Sequence, residues 1–425
     1  MRFVKISYKR FLFLWLFLSR TLNRSALAHR RDAGQTVDQQ STIIFVASVR
    51  DFQLTGDSQF VPDKFELWRQ EIKSLGLSAK LVVMPFSEKQ NKSIPQEAYF
   101  IEPFALPSRF TGIGVGAIFS LLRSLHKSQQ TLRTPQSIYI TRQLWKNFLL
   151  YSKPKVVIGI GLTDLMLEVC SELGIKTIEC QHGVFSAAEL KRWWRTPSEV
   201  TDYFPDLFVT WDRHYSEIAT KLGINALTLG YPFDFSKIDH DEAILQQPTR
   251  SAEASIVATL SCRETSGIDP WGMIDTNMDF AISVLLGSGF RVQLRVHPMA
   301  EKGFIRRFKV SRWLSQRYPG CEVIFPSDET ILQSLKAADI HLTVSSSTML
   351  EAAYLGIPTL CFSTECLSWF PDQIMNMGIV KPTNRESILE DVIELIKFPT
   401  NKFRNPLDIQ RFRQVVLEWT ANSNE

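Results

Sequence analysis

The sequence predicts an α/β protein in which two Rossmann-like, doubly wound domains face one cleft. Two observations lead there. Short apolar runs alternate with helix-type segments in two series, one ending near Leu229 and one starting near Ile256, which is the pattern of parallel sheets with crossover helices. A polar stretch carrying Gln246, Gln247 and Pro248 separates the two. The 425 residues, 44% hydrophobic and 22% charged, hold enough apolar mass for two cores and exclude disorder as the main state. The expected organisation is a basic extension over 1–40, an N-terminal domain over 41–235, a linker over 236–252, a second domain over 253–400 and a closing helical segment over 401–425 that can pack back on the first domain.

In the first series, 42–47 and 81–84 are β-type runs, the second ended by Pro85, and 63–75 suits a helix closed by Gly76. Residues 86–110 read as irregular loop. Gly112, Gly114 and Gly116 lie in an apolar stretch, and 118–126 reads as helix. From 155 the pattern is regular. A buried-type strand over 156–161 precedes a helix capped by Thr163 or Asp164 and running through Leu173, with Gly174 just beyond its end. Strands at 177–180, 207–211 and 226–229 follow, with a helix over 214–222, and the series closes on Gly230-Tyr231-Pro232.

The second series has strands at 256–260, 292–296, 322–325, 340–344 and 359–362. Its helices fall near 274–286, 303–316, 329–337, 347–355 and 386–397. Residues 409–419 place Ile409, Phe412, Val415, Val416 and Trp419 on one helical stripe.

Composition narrows the partners. Six Cys without a C-x-x-C pair exclude a disulfide scaffold and read as reduced, buried or half-buried thiols. No apolar run reaches the ~18 residues of a spanning helix. The net charge of +4 is uneven: residues 1–31 carry eight Lys and Arg and no acid, leaving 40 basic and 44 acidic residues in the rest. That body has no basic stripe for nucleic acid. The basic end surrounds a greasy run over 11–18, which has two readings. One is a secretory signal with Ala26-Leu27-Ala28 as its cleavage site, against which Arg20 and Arg24 intervene. The other is a segment lying on an anionic membrane surface.

Ligands in open α/β sheets bind beyond the carboxyl ends of the strands, so chemistry-bearing residues should follow strands. Three clusters do. Gln181-His182-Gly183 follows one strand, and an imidazole there can take a proton from a hydroxyl or can simply bond a loop carbonyl. In the second, Arg291, Gln293, Arg295 and His297 alternate with Val292, Leu294 and Val296, and Pro298 ends the strand. His297 can meet a phosphate oxygen, or the strand is half-exposed and the ring solvated. In the third, Ser345, Ser346 and Ser347 open a helix that carries Glu351 one turn in and stops at Gly356. Hydroxyls, N–H groups and helix dipole make an anion site, and Glu351 can hold ribose hydroxyls; ordinary serine capping is the alternative. Arg263 can reach a diphosphate or form a surface ion pair.

These residues resemble a family. The segment 338–358 resembles the donor-nucleotide region of GT-B glycosyltransferases. His297-Pro298 and Ser345–Ser347 are similar to the HP and Ser-Ser/Thr motifs of bacterial sialyltransferases and capsule sugar transferases. Gln181-His182-Gly183 resembles the His-Gly element of teichoic-acid-type glycerophosphotransferases. The likeness covers roughly residues 155–365. It implies an inverting, metal-independent glycosyltransferase of surface-polysaccharide or capsule biosynthesis, with no cofactor beyond a CMP-, CDP- or UDP-linked sugar. The C-terminal domain would hold the donor phosphate through His297, Ser345, Ser346, Ser347 and Arg263, and the ribose through Glu351. The N-terminal domain would take a carbohydrate or lipid-linked glycan acceptor, with His182 as base and Gly183 shaping the loop. Sialyltransferases of this type carry an acid where His182 stands, so Glu179 and Asp164 remain alternative bases. The implied location is the cytoplasm, peripheral to the inner membrane face through residues 1–31. A sugar-nucleotide epimerase on the same fold is the rival enzyme. A periplasmic two-lobed binding protein and a silent subunit of a polysaccharide assembly complex are the rivals of other kinds.

Overall fold

A computed structural model describes residues 42–48, 52–54, 60–62, 66–84, 99–100, 135–193, 203–232, 254–260, 267–297, 304–397, 402–403 and 406–421. The extension over 1–40, the helix expected over 118–126, Gly112, Gly114, Gly116, the linker over 236–252, Arg263 and Pro298 lie outside the described residues. The chain divides into Met1–Ser41 and Thr42–Glu425, and both large sheets belong to the second unit.

In chain order the first half runs β1 (Ile43–Ser48), β2 (Phe52–Leu54), β3 (Phe60–Pro62), α1 (Glu66–Ser74), β4 (Ala79–Met84), β5 (Tyr99–Phe100), α2 (Pro135–Ser152), β6 (Val156–Gly159), α3 (Asp164–Glu172), β7 (Lys176–Cys180), α4 (Ala187–Trp193), β8 (Leu207–Thr210), α5 (Arg213–Lys221) and β9 (Ala226–Thr228). The second half runs β10 (Ser255–Thr259), α6 (Thr276–Gly287), β11 (Arg291–Arg295), α7 (Phe304–Arg317), β12 (Glu322–Ile324), α8 (Ile331–Lys336), β13 (Ile340–Thr343), α9 (Thr348–Leu355), β14 (Thr359–Cys361), α10 (Thr364–Leu367), α11 (Asp372–Asn376), β15 (Val380–Pro382), α12 (Ile388–Lys397) and α13 (Ile409–Ala421).

Seven parallel strands form the first sheet in the order β5-β4-β1-β6-β7-β8-β9, and six form the second in the order β12-β11-β10-β13-β14-β15. β2 and β3 make a separate antiparallel pair. In the second sheet the strand order reverses between β10 and β13, where Thr259 lies beside Thr343. That reversal opens the crevice in which doubly wound sheets take ligands.

Both faces of the first sheet are covered, as a parallel sheet requires. Ile43, Phe45, Val156, Ile158, Leu207 and Val209 pack under α1 and α13. Ile44, Val46 and Val157 face α2, α3 and α5. That second core continues into the other half through Met349, Leu350, Tyr354, Phe370 and Ile374, so the two halves share apolar contacts. The closing helix α13 lies against the first half: the Trp68 and Phe412 rings meet edge-on at 4.1 Å, and the Lys155 ammonium donates to the Thr420 carbonyl at 2.6 Å.

The polar face of β11 is solvated only at its start, where Arg291 is exposed. Gln293 and Arg295 are buried and bonded, which corrects the half-exposed-strand reading. The Gln293 amide and the Arg291 guanidinium both donate to Glu322 and hold its carboxyl below the usual range. Arg295 donates to Ser334 Oγ at 2.6 Å and to the Glu329 carbonyl at 2.9 Å. Helix α2 was not predicted. Its Ile138, Tyr139, Ile140 and Thr141 read as strand, and its first turn has no acid, although Pro135 at its first position is a helix-start signal.

Candidate functional site

The centre of the site is the turn between β13 and α9. Ser345, Ser346 and Ser347 are half-buried there, just past the carboxyl end of β13. Ser347 occupies the N-cap position in the right-handed helical region (φ −61°, ψ −14°) and makes no side-chain cap bond. Capping therefore does not account for its hydroxyl. Ser346 does other work: its Oγ accepts from the Thr348 N–H at 3.3 Å and from Thr348 Oγ1 at 2.9 Å.

Beneath this turn lies a buried residue that the sequence did not single out. His341, in the middle of β13, is fully buried. Its Nδ1 lies 3.0 Å from Thr359 Oγ1, and its Nε2 lies 2.9 Å from Thr259 Oγ1 and 3.2 Å from Thr348 Oγ1. Burial pushes its pKa down to about 3, so the ring is neutral at pH 7. A neutral imidazole thus ties β14, β10 and α9 to the Ser346 hydroxyl. Cys361 adds a further tie, its thiol donating to the Val344 carbonyl at 3.2 Å just before the serines. His297 follows β11 and is half-buried. β11 and β13 flank β10 on opposite sides, so His297 and the serine turn stand at the same edge of one sheet.

Glu351 is buried one turn into α9, and it faces the first half. The Tyr231 hydroxyl donates to its Oε1 at 3.1 Å. Tyr231 follows Gly230, whose φ of +91° is one that favours glycine, and its ring packs at 4.5 Å from Trp211 and 4.6 Å from Tyr354. Burial first, and the Glu351 charge next, push the Tyr354 hydroxyl far up. Oε2 of Glu351 is also buried, so a ribose reaches this carboxylate only where the side chains packed over it give way.

On the first half, His182 and Gly183 sit half-buried beyond the carboxyl end of β7. Gln181 fixes that turn. Its Nε2 donates to the Gly183 carbonyl at 2.9 Å, and its Oε1 accepts from the Trp211 N–H at 2.8 Å. Glu179 is committed to a neighbouring loop, accepting from the Gly161 N–H at 2.6 Å and the Leu162 N–H at 2.9 Å. Gly159 opens that loop, because a side chain there would collide with Leu162. Asp164 is buried at the first position of α3, with Thr163 as the cap. Of the three candidate bases, Glu179 is held by two backbone amides, Asp164 is buried at the start of α3, and His182 lies half-buried in the turn past β7. We expect Glu179→Gln to cost roughly 2 kcal/mol, since one of two amides then faces an NH2 group; a urea midpoint measures it.

The structure thus places His297 and the serine turn on one sheet edge, His182 and Gly183 at the edge of the other sheet, and joins the halves through Tyr231 and Glu351. The sequence missed His341, and it gave no separate role to Gln181, Thr348 or Tyr231 although each stood in a motif it singled out. For Tyr231 a signal existed in Gly230-Tyr231-Pro232 directly after a strand. Among the described residues no group of three or more His, Cys, Asp or Glu gathers to hold a metal ion. None of the described helices is long and apolar enough to cross a membrane.

No protein-family model matches the chain, and no curated protein matches it in sequence. Solved structures do share its fold. MnaA of S. aureus, determined with UDP, superposes with a TM-score of 0.57 at 14% identity over 90% of this chain and 97% of its own. UDP-N-acetylglucosamine 2-epimerase from Rickettsia bellii gives 0.56 at 14% identity over 91% of this chain and 98% of its own. UDP-GlcNAc 2-epimerase from Neisseria meningitidis, bound to UDP-GlcNAc, gives 0.54 at 15% identity over 90% of this chain and 100% of its own. At such identities the likeness establishes the fold: two Rossmann-like domains in the GT-B arrangement. None of these three is a sialyltransferase or a glycerophosphotransferase.

Proposed function

We propose that the chain is an enzyme acting on a nucleotide-activated sugar, and that it inverts a sugar carbon of a UDP-linked N-acetylhexosamine. The observation that carries the nucleotide is the serine turn at the strand reversal, whose N-cap hydroxyl is not spent on capping. A diphosphate there would meet Ser345, Ser346, Ser347 and the positive end of α9, with His297 from β11 on the same edge. Arg263, after β10, is a further diphosphate candidate. The choice of epimerisation rests on the full-length fold likeness to 2-epimerases. Inversion can proceed by a base taking the proton from the carbon next to the anomeric one while the anomeric C–O bond breaks and UDP leaves with that electron pair; UDP then re-adds as a proton is delivered to the opposite face of the carbon. His182 is the candidate proton carrier.

Sugar transfer to an acceptor, in surface-polysaccharide or capsule assembly, is the second reading. The motifs at 181–183, 297–298 and 345–347 favour it, and His182 would then deprotonate the acceptor hydroxyl. On either reading the protein works in the cytoplasm, where nucleotide sugars are kept, and the greasy basic stretch over 1–31 would rest on the inner membrane face.

Incubation of the protein with UDP-GlcNAc alone in deuterated water separates the two. Epimerisation places solvent deuterium on the sugar and yields a second UDP-sugar, read by NMR and mass spectrometry. A sugar that stays unlabelled and unconverted removes the epimerase reading. If UDP in turn gives no thermal shift where CMP, CDP or GDP does, the UDP assignment also goes. At 100-fold over Kd the nucleotide that fits should stabilise by about 2.7 kcal/mol.

A further inference from the structure

Helix α7 (Phe304–Arg317) is the crossover between β11 and β12. Its inner face is ordinary: Val310 and Leu314 are fully buried in the second core. Its outer face is not. Ile305 is 70% exposed and Phe308 57% exposed, the two most exposed large apolar side chains among the described residues. With Lys309 and Arg312 they fall at helical spacings of three, four and seven, so all four share one outward stripe. The helix carries Arg306, Arg307, Lys309, Arg312 and Arg317 and no acid. Arg307 is used internally, bonded to Asp328 at 2.5 Å and lying 4.4 Å above the Phe325 ring, and Arg317 pairs with Asp279. Among the described residues no ion pair engages Lys309 or Arg312.

Position gives the stripe meaning. Phe325 and Asp328 follow the carboxyl end of β12, so Arg307 pins the first turns of α7 to the edge of the sheet that carries His297 and the serine turn. We infer that Ile305, Phe308, Lys309 and Arg312 form a docking surface for an anionic membrane at the rim of the candidate site. The charge selects the occupant. Packing this stripe against a protein core would strip water from two unpaired cations. At a lipid interface the apolar side chains enter the acyl boundary, while the Lys and Arg stems let their charges reach the head groups. Residues 1–31 carry the same chemistry in sequence, a greasy run among eight cations without an acid. One weak membrane element binds marginally, and two on one chain reinforce each other. The inference does not depend on which nucleotide-sugar reaction the site performs.

The test is co-sedimentation of the full chain with vesicles of phosphatidylglycerol and phosphatidylcholine, against vesicles of phosphatidylcholine alone. We expect binding only to the anionic vesicles and weaker binding as salt is raised. Ile305→Ser with Phe308→Ser should lower vesicle affinity at least tenfold, and Lys309→Glu with Arg312→Glu should do the same. Thermal midpoint and any UDP-induced shift should be unchanged in both, because all four side chains are exposed and lie outside the nucleotide turn. The inference is overturned if the chain ignores anionic vesicles or if the variants bind them as tightly as the parent. A change of oligomeric state in the variants without loss of vesicle binding also overturns it, and assigns the face to a protein contact.

Discussion

Replacing His341 with asparagine should flatten the acid limb of the protein's stability curve. The ring is fully buried and its pKa lies near 3, against an ordinary 6.5. The unfolded chain therefore takes up a proton below pH 6.5 that the folded chain refuses. The stability conferred by the neutral buried ring is complete above 6.5 and is lost as pH falls toward the folded value. One proton is worth about 1.4 kcal/mol per pH unit once the unfolded ring is fully protonated, so going from pH 6.5 to 4.5 should cost the parent roughly 2 kcal/mol more than His341→Asn. At pH 7 the parent is the more stable. The variant forfeits bonds to Thr259, Thr348 and Thr359 and should be less stable by about 2–4 kcal/mol. The two stabilities should converge on acidification. Glu322 and other carboxylates bonded in the fold also lose stability in acid, but they are common to both proteins and cancel in the difference. Urea unfolding at four pH values measures it. Parallel curves for parent and variant would mean that the ring is not the buried neutral base described here.

The same residue shows where sequence reading stops. Strands buried on both faces were legible because 156–159 and 256–258 are unbroken apolar runs with turn residues near them. The serine turn was legible because hydroxyls followed by a helix and Gly356 are contiguous. His341 was not, since its partners lie 18 and 82 residues away on the two neighbouring strands, and in isolation it reads as one polar residue in an apolar strand. Arg295 was misjudged for a related reason. A strand face of alternating Arg and Gln looks solvated until Ser334 and Glu329 are known to cover it. Helix α2 failed on local propensity, overridden by the packing of Trp145 and Leu149 against the first sheet.

Exchanging the two partners at the junction should move folding and nucleotide affinity in different ways. Tyr231 and Glu351 are 120 residues apart and both buried, and their bond joins the two halves. Tyr231→Phe keeps the ring against Trp211 and Tyr354 but leaves a buried carboxylate without that donor, at a cost of about 2 kcal/mol. Glu351→Gln keeps an acceptor for the hydroxyl and should cost less than 1 kcal/mol. With Gln at 351, adding Phe at 231 should cost about 1 kcal/mol less than it does alone, which a double-mutant cycle reads as coupling. Nucleotide binding separates two roles for the carboxylate. On the ribose reading the hydroxyls of the sugar compete with Tyr231 for Glu351, so Tyr231→Phe should tighten UDP binding a few-fold. Glu351→Gln should weaken it about tenfold, the equivalent of about 1.4 kcal/mol. Calorimetric titration gives both numbers. If UDP affinity is indifferent to Glu351→Gln, the carboxylate is a tie between the halves and no ligand of the ribose. If both variants weaken binding alike, the bond itself shapes the cleft, and the ribose must be held by other groups on the β13–α9 edge.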